Sequence, residues 1–192
     1  MINPADKIIV ALDVPTKAKA RALVKQLGGD ISFFKIGLQL YTAEGPEIVR
    51  AVLSTGARVW LDLKLYDIPN TVARAVESAG ILGVQMLTIH LSGGSEMIRA
   101  ATAARAAGML LLGVTVLTSA TDRTLREIGI ADNVEDHVKR LARMGVDSGI
   151  EDVVASPHEI ARCRAEFGTR FYFADPRNRP SLHEHCETSR CM

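Results

Sequence analysis

The residues best able to do chemistry, Asp62, Lys64 and Asp67, stand within six positions of one another in the stretch Leu61-Asp-Leu-Lys-Leu-Tyr-Asp-Ile-Pro-Asn-Thr71. The apolar run Arg58-Val-Trp-Leu61 precedes them and places Asp62 and Lys64 at the carboxyl end of a strand. Side chains two apart on a strand share a face, so a carboxylate and an ammonium project side by side. An ammonium held in place can stabilise a developing negative charge and then supply a proton. Asp67 follows in the turn, and Pro69-Asn70-Thr71 opens a helix. The plainer alternative is a structural ion pair at a strand end, a common feature worth little energetically. Two features favour a site: the strand is otherwise hydrophobic, and α/β folds build active sites at strand ends.

The elements that must position these groups follow a regular rhythm. Short β-rich runs alternate with amphipathic stretches at a spacing of roughly 25–30 residues, as in repeated βα units. Strands are expected at 7–13, 33–36, 59–64, 86–91, 109–117, 152–155 and 171–173. Helices are expected at 16–27, 46–53, 71–81, 95–107, 133–144 and 156–167, with Asn133 as a cap followed three residues later by Asp136. Alternation this regular predicts an all-parallel sheet, closed as a (β/α) barrel or opened as a doubly wound sheet. No Gly-x-Gly-x-x-Gly follows the first strand, which weighs against dinucleotide binding. Polar residues recur where strands end: Asp13 ends the first, Lys35 sits in the second, Asp62 and Lys64 end the third, His90 the fourth, and Thr118 and Ser119 the fifth. In a barrel these ends meet at one mouth.

Composition narrows the remaining choices. A net charge of +1 leaves no electrostatic case for nucleic acid or an anionic membrane. Hydrophobic residues make up 47% of the chain, enough for a sizeable core and too many for a disordered one. The length suits one domain of roughly 150–200 residues. No apolar run approaches the ~18 residues of a membrane span, and the N-terminus lacks the pattern of a signal peptide. The odd, sparse set Cys163, Cys186 and Cys191 suits free thiols in a reducing cytoplasm.

Asp62-x-Lys64-x-x-Asp67-Ile-Pro-Asn-Thr71, with Leu12-Asp13, Phe34-Lys35-Ile-Gly37, Ile89-His90-x-Ser92-Gly93-Gly94 and Val116-Leu117-Thr118-Ser119, resembles the bacterial orotidine 5′-phosphate decarboxylases from about residue 7 to about residue 173. The resemblance implies a dimeric TIM (β/α)8 barrel that converts orotidine 5′-monophosphate to UMP with neither metal nor organic cofactor. It implies that Asp13 binds a ribose hydroxyl and that Lys35 contacts ribose and holds the charge network. Asp62 would lie against the substrate carboxylate, and Lys64 would protonate C6 of the pyrimidine. Asp67 and Thr71 would reach into the partner's site, and Thr118 and Ser119 would sit near the pyrimidine edge. The whole run Asp62, Leu63, Lys64, Leu65, Tyr66, Asp67, Ile68, Pro69, Asn70 and Thr71 would line the substrate. His90 takes no catalytic role, Gly93-Gly94 reads as a turn, and Met86, Met97, Met109 and Met144 read as core fillers.

Two alternatives use the same motif. The magnesium-dependent 3-keto-L-gulonate 6-phosphate decarboxylases and hexulose phosphate synthases also carry Asp-x-Lys-x-x-Asp. Lys35, where that group resembles a carboxylate site, and the Ile68-Pro69-Asn70-Thr71 segment favour the nucleotide enzyme. A non-catalytic remnant acting as a dimerising or binding module is the other. The barrel is expected over 1–173, with strands one to seven and without the eighth strand and last helix. An atypical tail, read as a frame change or truncation, is expected over 174–192. Within that tail Pro176, Arg179 and Pro180 keep the register of a phosphate-gripping loop, which makes Arg179 a phosphate ligand. From Ser181 onward the family pattern is lost, and His183, His185, Cys186 and Cys191 match no established zinc spacing.

Overall fold

The structure is a computed structural model that describes residues 8–150, 152–154 and 173–174. Seven strands form one sheet: β1 Val10–Ala11, β2 Phe33–Gly37, β3 Arg58–Leu65, β4 Met86–His90, β5 Leu110–Val114, β6 Asp152–Val154 and β7 Phe173–Ala174. Each pairs in parallel with its predecessor, so spatial order follows chain order from β1 to β7. A doubly wound sheet reverses strand order at a switch point. This sheet does not, which decides between the two architectures in favour of the barrel. Among the described residues no eighth strand joins β1 to β7.

The helices between the strands are α1 Lys17–Leu27, α2 Leu38–Glu44, α3 Pro46–Leu53, α4 Pro69–Leu82, α5 Gly94–Ala103, α6 Asp122–Glu127 and α7 Val134–Asp147, with a 3₁₀ turn over Leu91–Gly93. Thr16 caps α1 by accepting a hydrogen bond from the Lys19 N–H. Asn133 does the same for α7 through the Asp136 N–H at 2.8 Å. Two helices were not legible in the sequence, α2 and α6. Each is short and buries one residue, Leu40 and Leu125 respectively, so neither shows an apolar stripe. Gly45, at φ +62, separates α2 from α3 in a conformation that side chains other than hydrogen resist. The extra helix has a structural use: Glu44 at its end accepts a 2.8 Å hydrogen bond from the Lys17 N–H and so satisfies the start of α1.

Alternation along the strands divides the interior into two regions. Phe34, Ile36, Leu61, Leu87, Ile89 and Leu111 point outward and pack with the helices in one large cluster. Phe33, Trp60 and Leu112 point inward and pack with Ile9, Met86 and Val154. Met97 and Met109 are buried, and Met86 and Met144 pack against the two clusters, so the methionines are core fillers as expected.

Several expected boundaries shift. The β1 ladder covers only Val10 and Ala11, and Asp13 stands just beyond it. The expected 109–117 strand stops at Val114, because the ladders to His90 of β4 and Val154 of β6 both end there. Thr118 and Ser119 therefore lie in the loop before α6, not at a strand end. Lys35 sits within β2 as expected, paired in register with Trp60. The expected helix at 156–167, Cys163 and the 175–192 part of the tail fall outside the described residues.

Candidate active site

β2 and β3 set the site through their register. Lys35 aligns with Trp60 and Gly37 with Asp62, so Lys35, Trp60 and Asp62 share the inward face. The Lys35 ammonium lies 3.8 Å from Asp13 Oδ1 and 3.5 Å from Asp62 Oδ2. The Lys64 ammonium donates to the other oxygen of the same carboxylate, Asp62 Oδ1, at 2.9 Å. The result is a row of alternating charge, Asp13, Lys35, Asp62 and Lys64, across the carboxyl-terminal halves of β2 and β3 and just beyond β1. Its inner members are sheltered: the Asp62 side chain is 10% exposed and that of Lys35 16%. Asp13 and Lys64, at 59% and 39%, face outward at the two ends.

A distortion of β3 brings the last member into place. β3 and β4 are in register at Leu61 with Leu87 and again at Leu65 with Ile89. Asp62, Leu63 and Lys64 therefore stand opposite Thr88 alone, a bulge of the kind that re-aims side chains beside active sites. Within it Lys64 has φ +51, the one left-handed residue other than glycine among those described. That conformation costs a side-chain-bearing residue on the order of 1–2 kcal/mol. Thr88, fully buried, holds the bulge: its hydroxyl accepts from the Lys64 N–H at 2.8 Å and donates to Asp62 Oδ1 at 2.9 Å. Thr88 was missed in the sequence. The signal was there, since it is a lone polar residue two positions before His90 on an apolar strand and so shares the inward face.

His90 ends β4 with its ring 6.0 Å from that of Tyr66 in an edge contact. Burial first, and then the neighbouring Lys64 charge, push its imidazole below the ordinary value, while Asp62 pulls the other way. Asp13, Lys35, Gly37, Asp62 and Lys64 line a cavity of about 180 Å³. That is smaller than the ~300–1,000 Å³ of a typical small-molecule pocket. Among the described residues no group of three or more His, Cys, Asp or Glu side chains converges as a metal site would require.

The remaining expected residues lie outside this row. Asp67 is exposed, and its Oδ1 accepts a 2.7 Å hydrogen bond from the Ile68 N–H at the start of α4. Tyr66, Ile68, Asn70 and Thr71 are exposed, whereas Leu63, Leu65 and Pro69 are half-buried. Thr118 and Ser119 are exposed in their loop, and Arg179 lies outside the described residues.

A parallel (β/α) barrel with a row of alternating charges on the carboxyl-terminal side of its first strands belongs among the barrel enzymes that work at that rim. The family model described as "Orotidine 5'-phosphate decarboxylase / HUMPS family" matches residues 6–187, and the chain belongs to that family. The match runs into the tail, beyond the last of the family motifs. The chain is 47% identical over 176 residues to the orotidine 5′-phosphate decarboxylase of Opitutus terrae, covering 90% of this chain and 76% of that one. It is 44% identical over 200 residues to that of Syntrophotalea carbinolica, covering 100% and 82%. The crystal structure of orotidine 5′-phosphate decarboxylase from Lactobacillus acidophilus superposes with a TM-score of 0.81 at 34% identity, over 88% of this chain and 79% of that one. Among the described residues no helix is long and apolar enough to cross a membrane.

Proposed function

We propose that the chain decarboxylates orotidine 5′-monophosphate to UMP, in the cytoplasm, as a homodimer with shared sites and without metal or organic cofactor. The observation that carries this reading is the row Asp13, Lys35, Asp62, Lys64, with both carboxylate oxygens of Asp62 facing ammonium groups. The names of its relatives support it, since the family model alone spans a second group of enzymes.

The chemistry follows from charge. The bond between C6 and the carboxylate breaks, CO₂ leaves, and the electron pair stays on C6 in the ring plane, where no adjacent π-system absorbs it. The Lys64 ammonium stabilises that charge without reorganising and transfers its proton to C6. Asp62 lies against the scissile carboxylate, a repulsion that disappears as CO₂ departs. Asp13 and Lys35 hold ribose, Thr118 and Ser119 meet the pyrimidine edge, and Arg179 meets the phosphate. Asp67 and Thr71 serve the partner's site. Their exposure supports this, as does that of Tyr66 and Ile68, 63% and 66% accessible on either side of Asp67. Large apolar side chains so close together suit a surface that another subunit covers.

Lys35 favours this reaction over magnesium-dependent sugar-phosphate chemistry, because a cation beside Asp62 opposes a metal ion there. The test is UMP formation with and without EDTA, in the parent chain and in Lys64→Ala. Turnover indifferent to EDTA is expected. Lys64→Ala should lose at least ~10²-fold in kcat, the scale of a general acid, while still binding UMP. Turnover abolished by EDTA and restored by Mg²⁺ would move the chain to the sugar-phosphate group.

A further inference from the structure

We infer that Thr88 is a positioning residue for the reaction, acting through both Asp62 and Lys64; the inference rests on the decarboxylase reading. Its hydroxyl has one proton to give and lone pairs to accept with. The Lys64 N–H, at 2.8 Å, can only donate, so it takes a lone pair. The hydroxyl proton is then directed at Asp62 Oδ1, 2.9 Å away. The same Asp62 oxygen receives the Lys64 ammonium at 2.9 Å. One buried hydroxyl thus fixes the backbone that carries the ammonium and the carboxylate that orients it.

The setting makes this role specific. Three residues of β3 stand opposite Thr88 where a regular ladder would place one, and the Lys64 backbone is left-handed. With no carbonyl of β4 in register there, the Lys64 N–H has the Thr88 hydroxyl as its acceptor. Without it the bulge can relax towards a regular strand, which would swing the ammonium away from its place. Misplacement of about 1 Å at a reacting group can cost ~10²-fold in rate. Thr88 itself, fully buried beneath the row, need not touch the substrate.

The test is a graded series in the full chain. Thr88→Val keeps the shape and removes the hydroxyl, Thr88→Ser keeps the hydroxyl, and Thr88→Cys offers only a weak donor. Thr88→Val should lower kcat by ~10–100-fold with KM nearly unchanged, Thr88→Ser should stay near the parent, and Thr88→Cys should fall between. Equal losses for Ser and Val, or a fall confined to KM, would overturn the inference. A second readout needs no turnover: hydrogen exchange of the Lys64 amide should speed up by at least ~10-fold in Thr88→Val and stay slow in Thr88→Ser. If the parent chain forms no UMP, the decarboxylase reading fails, and the exchange data still decide the positioning role. Unchanged protection in Thr88→Val would overturn that as well. Should the valine variant not fold, the serine and cysteine pair carries the same comparison.

Discussion

Burial and the Lys64 ammonium hold the His90 imidazole below its ordinary value of 6.5, and this gives the protein a readable pH dependence. The unfolded chain takes up the His90 proton near 6.5, whereas the folded chain resists it until lower pH. Protonation therefore favours unfolding. The contribution of His90 to stability is complete above 6.5 and is lost as the pH falls through the folded value. His90→Gln should flatten the decline in Tm between neutral and mildly acidic pH, measured against the parent in the same buffers. An unchanged slope would show that other groups carry it. At this scale the charged row was legible because Asp62 and Lys64 obey the two-residue period of a strand. The left-handed Lys64 was not, since nothing in Asp-Leu-Lys-Leu distinguishes a bulge from a regular strand. Thr88 was overlooked for the same reason: its importance comes from the register slip opposite it.

Helix caps show what an element owes to a single side chain. Asn133 accepts from the Asp136 N–H at 2.8 Å and donates from Nδ2 to Asp136 Oδ2 at 2.9 Å, tying the first turn of α7 from both sides. Glu135 and Asp136 add negative charge to the same turn, where the helix dipole favours it. Asn133→Ala should cost about 1 kcal/mol, a fall in Tm of roughly 2–4 °C for a domain of this size, with turnover unchanged. Calorimetry checks the first and a rate assay the second. α7 was foreseen because that cap precedes a strong apolar stripe of Val138, Leu141 and Ala142. α2 and α6 were not, because short helices with one buried residue leave no period to read. The end of β5 was misjudged because apolar character continues through Val116 and Leu117 after both neighbouring strands have stopped pairing.

The spacing of the strands showed an all-parallel sheet, and the family resemblance and the unreversed strand order made it a barrel, but sharing between subunits is a property that no single chain displays. Asp67 lies outside the row formed by Asp13, Lys35, Asp62 and Lys64, and its carboxylate is engaged locally with the Ile68 N–H. If it serves a neighbour, Lys64→Ala and Asp67→Ala chains, each inactive alone, should regain part of the activity when mixed. One site of the hybrid inherits an intact lysine from one chain and an intact aspartate from the other, while the second site carries both lesions. Hybrids that form without recovered turnover would sink the shared-site idea. The inward-facing cluster beneath the row has a different consequence. Trp60 is the chain's only tryptophan. It is 5% exposed, with the Lys35 ammonium 6.0 Å from its ring. The molecule therefore carries a built-in fluorophore directly under the charged row. Occupancy of the row can be followed through the emission of one indole, with no label attached and no second tryptophan to blur the signal.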